Sequence, residues 1–169
     1  MVTLQGGDGI APEMITQFIR QPLLIGPVVI LWLVFGPLIE EPGWRGSGLD
    51  GLQARYSALL SSLIIGAVWA LRPLPLFLLE GTWQAQNIGL GTVSFWLYLA
   101  NIVLGAIVVT WIYNNTSRSI LAAILFHFSG NAFGELFALS QPAEMYSTLL
   151  LAIIAGVPQP GDWVESADS

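Results

Sequence analysis

The stretch VVILWLVFGPLIEEPGWRG, residues 28–46, decides how this chain is read. From Leu23 to Ile39 seventeen residues run without a charge, ending on Glu40, Glu41 and, four positions further, Arg45. An apolar run of that length approaches the ~20 residues a helix needs to cross the hydrocarbon core. Charges at its end ordinarily mark the exit into water. Here two adjacent carboxylates and an arginine lie among Pro42, Gly43 and Trp44, and two readings stand. Either this is an interfacial helix end closed by a salt bridge, or it is the polar centre of a site inside the bilayer. If the helix continues, Glu41 and Arg45 are spaced i and i+4 on one face and can pair. Glu40 then points elsewhere, and a poorly solvated carboxylate in that position can act as a general base on water.

The rest of the composition favours a membrane setting. Of 169 residues 54% are hydrophobic and 9% charged, with a mean hydropathy of +0.70. A soluble domain carries roughly 25% charged residues, so this chain lacks the polar groups to clothe a water-facing surface. The expected fold is all-α: a polytopic membrane helix bundle with a polar intramembrane cavity. There is no cysteine, which excludes disulfides and thiolate metal sites. The net charge of −6, with acid in both tails, argues against nucleic acid as a partner, because phosphates want a basic face. The bilayer itself is the expected surrounding. The N-terminus shows no basic region followed by a short apolar core, so no secretory signal is read.

Five hydrophobic segments are placed: 23–39, 57–79, 93–113, 120–139 and 147–157, the last short enough to lie partly in the interface. They define a membrane domain over residues 23–157, between an N-terminal polar segment, 1–22, and an acidic tail, 158–169. If all five cross, Arg45, Arg55 and Arg118 share a side opposite Arg20. The positive-inside tendency then makes that side cytoplasmic.

Ionisable groups within membrane segments are expensive and mark functional candidates. Besides residues 40–45, the sequence LFHFSGNAFGEL, residues 125–136, holds the single histidine, His127. Asn131 lies four positions on, on the same helix face, and Glu135 continues that face. Imidazole and carboxamide side by side can donate to a developing oxyanion; the bland alternative is a polar cluster bonded between helices. Gly130 and Gly134 form a small-xxx-small pattern that lets a second helix approach. Arg72, beside Pro73 and Pro75, can serve carbonyls freed by the prolines, pair with Glu40 or Glu41, or snorkel to the interface. Asn101 reads as glue between helices. No HExxH, Walker or GxSxG pattern is present, and one histidine cannot build a multi-histidine zinc site. A metal held by Glu40, Glu41 and His127 is a weaker alternative.

Taken together, EEPGWRG resembles the first motif, Glu-Glu-x-x-x-Arg, of the CAAX-protease and bacteriocin-processing (CPBP, or Abi) family of intramembrane endopeptidases. HFSGN fits that family's last motif, His-x-x-x-Asn, and the helices between follow it over roughly residues 23–133. The resemblance implies a helical bundle in a prokaryotic cell membrane, with a cavity open to the cytoplasm. It also implies a metal-independent glutamate protease that needs no cofactor and takes a peptide or membrane-protein segment as substrate. By that resemblance Glu40 activates the attacking water, Glu41 and Arg45 hold the motif's geometry, and His127 and Asn131 stabilise the oxyanion.

One position departs from the family pattern. Its second motif, Phe-x-x-x-His, is matched here by WALRPLPLF, residues 69–77, with Trp69 as the aromatic and Pro73 where the histidine belongs. Losing a general acid–base partner costs ~10²–10⁴-fold in rate. Arg72 next to it is charged at any working pH, and turned towards Glu40 it makes that carboxylate a poorer base. The sequence therefore supports an endopeptidase with weakened activity or, alternatively, an inactive relative acting as a membrane binding or immunity protein. A transporter component would need a continuous polar path, which these isolated polar sites do not form.

Overall fold

The structure is a computed structural model, and it describes residues 12–136 and 141–156. Every regular element among them is helical. An amphipathic helix, α1 (Pro12–Arg20), leads into a 32-residue helix, α2 (Pro22–Gln53). Three more follow: α3 (Ala58–Leu78), interrupted at residues 72–73, α4 (Val93–Asn115) and α5 (Ile120–Leu136). The last is α6 (Gln141–Gly156). α2, α3 and α4 are long and apolar enough to cross a membrane, and residues 120–134 and 144–156 form shorter apolar helices. This is the all-α membrane bundle expected from composition.

The first segment does not stop at Ile39, as its charges suggested. α2 continues through Glu40, Glu41 and Arg45 to Gln53, about 48 Å at 1.5 Å per residue. Pro37 lies inside the turn Val34–Leu38, which is π-helical, and Pro42 is followed by a second π-helical stretch, Trp44–Leu49. A proline cannot donate to the i−4 carbonyl and its ring presses on that carbonyl. Widening to i→i+5 bonding accommodates it without ending the helix, and such π-turns gather at functional sites.

Helices α2 to α5 run alternately up and down. Gly36, Glu41 and Gly46 of α2 meet Asn131, His127 and Ile120 of α5 in reverse order. Phe77 of α3 packs on Phe95 of α4 with ring centroids 4.9 Å apart, while Gly66 of α3 faces Val103 and Ala106. α6 runs parallel to α4: Ser94 donates to Glu144 at 2.9 Å and Asn101 to Thr148 at 2.7 Å. Asn101 is thus the interhelical tie the sequence suggested.

Burial is inverted relative to a soluble protein. Leu23, Phe35, Leu78, Leu121 and Ile153 lie on the outside, whereas Glu41, Arg45, Ser61, Ser62 and Thr110 are fully enclosed. An apolar exterior suits lipid, which offers no partner to a polar group. The apolar core proper gathers Leu49, Ile65 and Tyr113, with Trp44, Leu52 and Ile120 around it.

Two sequence readings are corrected here. A methyl group placed on Gly130 or Gly134 would meet nothing within 4 Å, so neither glycine is a helix contact among the described residues. The close approach is at Gly66, where an added Cβ would lie 3.1 Å from the Val103 Cα and the Ala106 Cβ. Arg45 is likewise no loop charge: it is wholly buried on Glu41, so only Arg55 and Arg118 remain at that end. Asp50 joins them there, 3.4 Å from Arg118 and accepting a hydrogen bond from the Tyr113 hydroxyl. The acidic tail, residues 137–139 of the fourth segment and the side chain of Glu135 lie outside the described residues.

Candidate active site

Adjacent residues on a helix project about 100° apart, so Glu40 and Glu41 cannot face the same neighbour. Glu41 turns inward. Its Oε1 accepts a hydrogen bond from Arg45 Nη1 at 3.1 Å and lies 2.7 Å from His127 Nδ1 on α5. Arg45 Nη1 also approaches Oε2 to 2.9 Å, an ionic contact that lacks hydrogen-bond alignment. The i, i+4 pairing foreseen from spacing exists, and it is sealed from solvent.

A buried charge pair is held only where hydrogen bonding makes up for lost hydration. Here one carboxylate serves both a guanidinium and an imidazole, and Arg45 also stacks over Trp69, 5.3 Å from the ring centroid. Its Nε and Nη2 remain without a hydrogen-bond partner, as does Glu41 Oε2.

Glu40 faces the other way, towards α3. Its Oε2 accepts from Trp69 Nε1 at 3.1 Å, and its Oε1 is bonded to Arg72 Nη1. The carboxylate is 13% exposed and the Arg72 side chain 59% exposed, so this pair forms the outer edge of the cluster. The backbone of α3 explains how Arg72 gets there. Pro73 cannot donate to the Trp69 carbonyl, which accepts instead from Arg72 N at 3.3 Å. The helix breaks there and restarts at Leu74. Arg72 caps the first half, three residues and nearly one turn beyond Trp69, so both side chains reach the same glutamate.

Trp69 is the residue that the sequence reading undervalued. By motif it is only an aromatic, yet it donates to Glu40, lies under Arg45 and stands edge-on to His127 with ring centroids 4.8 Å apart. The available signal was chemical: an indole N–H within an apolar helix needs an acceptor, and Trp69 shares a face with Arg72.

Asn131 sits one turn beyond His127 against Gly36. A Cβ at position 36 would lie 3.1 Å from the Asn131 amide nitrogen. A side chain there would push the carboxamide back from α2 by a few tenths of an ångström. Four of the five candidate residues therefore gather on the α2–α5 seam, with Arg45 and His127 both on Glu41 and Asn131 one turn away against Gly36, whereas Glu40 faces α3. Glu40, Glu41 and His127 do not converge as a metal-binding group, and no cluster of three or more such ligands occurs among the described residues. At position 73 the proline ring offers no proton-transfer group.

Fold and site together define a polytopic helical membrane protein with adjacent glutamates, an arginine and a histidine clustered between its helices. Residues 22–133 match the family model of Rce1-like type II CAAX prenyl endopeptidases, and the chain belongs to that family. It is 33% identical over 132 residues to CAAX prenyl protease 2 of Methanococcus maripaludis, covering 76% of this chain and 47% of the relative. The chain thus spans about half the length of the curated relative it matches.

Proposed function

We propose that this chain is an intramembrane endopeptidase of the CAAX-protease type, hydrolysing peptide bonds of membrane-associated peptides or proteins with a water activated by Glu40. The observation that carries this reading is the division of labour between the two glutamates. Glu41 is locked in an enclosed ion cluster, whereas Glu40 is oriented at its edge, where substrate and water can arrive.

In the proposed reaction water gives a proton to the Glu40 carboxylate as its oxygen bonds to the scissile carbonyl carbon. The resulting oxyanion is held by the Asn131 amide and by His127. With Nδ1 committed to Glu41, Nε2 is the ring nitrogen left for substrate, and it donates when it carries a proton. Collapse breaks the C–N bond, and the departing amine takes the proton back from Glu40. Preorganised donors of this kind account for roughly 10²–10³ in rate each. Glu41 and Arg45 position the histidine and touch no substrate. Arg55 and Arg118 at one end, against Arg20 at the other, support a cytoplasmic placement of the α2 C-terminal end.

The test is cleavage of lipidated and transmembrane peptides by protein in nanodiscs, read by mass spectrometry. Unmodified chain, Glu40→Ala and Pro73→His are run side by side. Cleavage that disappears in Glu40→Ala supports the reading. Cleavage by Pro73→His alone favours the second reading, an inactive relative that binds a membrane partner or confers immunity. The Arg72 contact on Glu40 is what speaks for that alternative.

A further inference from the structure

The proposed chemistry makes no use of Asp50, which stands nine residues beyond Glu41 on α2. The Tyr113 hydroxyl lies 3.3 Å from one of its carboxylate oxygens and 3.4 Å from the other, and Arg118 Nη1 lies 3.4 Å from Oδ1. Arg118 belongs to the turn between α4 and α5 and stands nine residues before His127. The two helices are antiparallel, so they are joined by two rungs at the same spacing: Glu41 on His127, and Asp50 on Arg118. Each arm spans about 13 Å. The winding of α2 makes the second rung possible. Nine α-helical residues at about 100° each would leave Asp50 half a turn away from the face of Glu41. The π-helical stretch Trp44–Leu49 lies in that arm, and its wider turns advance less per residue, which brings Asp50 back toward the start of α5.

We infer that Asp50 is a positioning residue for His127: it ties the α4–α5 turn to α2 and so fixes where along the seam α5 offers its imidazole to Glu41. Its consequence for rate rests on the endopeptidase reading; its effect on the histidine does not. Three observations support it. Between the two rungs the seam holds little that could set a register, since Gly46 meets only the tip of Ile120. Apolar contacts in lipid favour no one helix position strongly, so directional bonds have to choose it. Next, Tyr113 anchors the turn twice. Its carbonyl accepts from Arg118 N at 2.9 Å and its hydroxyl reaches Asp50, while its ring is fixed in the apolar core with Leu49 and Ile65. Finally, Ser117 and Arg118 are both left-handed, with φ of 54° and 57°. Such a backbone persists where its surroundings hold it there, and the bonds to Tyr113 and Asp50 do so. A slip of α5 by one residue would move the imidazole about 1.5 Å along the seam, and misplacement on that scale costs up to about 10²-fold in rate.

His127 is the single histidine of the chain, so nitrogen NMR of protein labelled in histidine reports that ring alone. The full chain is studied in nanodiscs as the unmodified protein, Asp50→Ala, Arg118→Ala and Arg118→Lys. Facing a carboxylate, Nδ1 has to carry the proton, and the unmodified chain should show one ring state with Nδ1 protonated. Asp50→Ala and Arg118→Ala should shift or split those signals. They should also lower kcat for peptide cleavage at least about tenfold with KM little changed. Arg118→Lys keeps the charge on Asp50 and should restore most of both. Melting temperatures should stay within about 4 °C of the unmodified chain, because a part-exposed ion pair adds little stability. Unchanged His127 signals in Asp50→Ala overturn the inference whatever happens to cleavage, and so does Arg118→Lys behaving as Arg118→Ala. Should Asp50→Ala fail to fold, the two Arg118 variants decide by the same signals. A displaced ring in a chain that cleaves nothing keeps the positioning role and removes the endopeptidase reading; cleavage with an unmoved ring does the reverse.

Discussion

The buried Glu41–Arg45 pair makes a quantitative claim that stability measurements can check. Arg45→Met keeps most of the side-chain volume and the contact with Trp69, but it leaves Glu41 with His127 as its one partner. Removing one member of an enclosed pair costs about 3–5 kcal/mol, and the lost stacking of cation on indole adds about 1 kcal/mol. Glu41→Leu strands the guanidinium instead. It costs about as much, plus about 1–3 kcal/mol because His127 Nδ1 loses its acceptor. The double variant removes both charges, and apolar replacement of a whole pair is often neutral or stabilising. What remains is the unpartnered imidazole, so the double variant should lie about 1–3 kcal/mol below the unmodified chain. The singles sum to a far larger loss. For a chain of this size 1 kcal/mol shifts Tm by about 2–4 °C. Each single should therefore melt at least about 8 °C lower in detergent, and the double should recover most of that. Singles within 2 °C of the unmodified chain, or a double that shows the full sum, would refute the picture of one coupled buried cluster.

Three other outcomes follow from particular contacts. Trp69→Phe keeps a ring beneath Arg45 and beside His127 but removes the N–H that orients Glu40. It should cost about 1 kcal/mol in stability while lowering turnover at least about tenfold with little change in KM, as steady-state cleavage kinetics would show. Gly66→Ala should destabilise by about 1–3 kcal/mol because its Cβ has no room against α4, whereas Gly130→Ala, facing open space, should be neutral or stabilising by up to about 1 kcal/mol; parallel melting curves compare the two. Ser117 and Arg118 hold φ values of 54° and 57° in the turn between α4 and α5, a conformation costing roughly 1–2 kcal/mol for a side chain with a Cβ. Ser117→Gly should accordingly raise the melting temperature.

Local spacing carried much of the candidate site. An i, i+4 relation holds on any helix, so Glu41–Arg45 and His127–Asn131 were legible as neighbours before their helices were placed. The tie at Asn101 was legible for a related reason: a carboxamide in an apolar helix has to find a partner. Whether the helix survived Glu40, Glu41 and two prolines was not legible. Propensity weighs Pro37, Pro42 and Gly43 as terminators, but the π-turns and the partners waiting on α3 and α5 carry the backbone and its charges through. Gly130 and Gly134 misled for the complementary reason. A small-xxx-small pattern states that another helix could approach and says nothing of whether one does.

By itself the sequence determined that this is a helical membrane protein: with 9% charged residues it cannot clothe a water-facing surface, and its long uncharged runs suit spanning helices, which satisfy their own backbone. It also determined which residues could share a helix face. Only the tertiary structure decided their partners. Contacts between α2, α3 and α5 join positions 29, 32 and 86 residues apart in the chain, and no local periodicity encodes which of two adjacent glutamates turns to which helix. That choice sent Glu41 to Arg45 and His127, and Glu40 to Trp69 and Arg72. It follows from where the chain packs, and it separates the carboxylate that holds the cluster together from the one left at its edge.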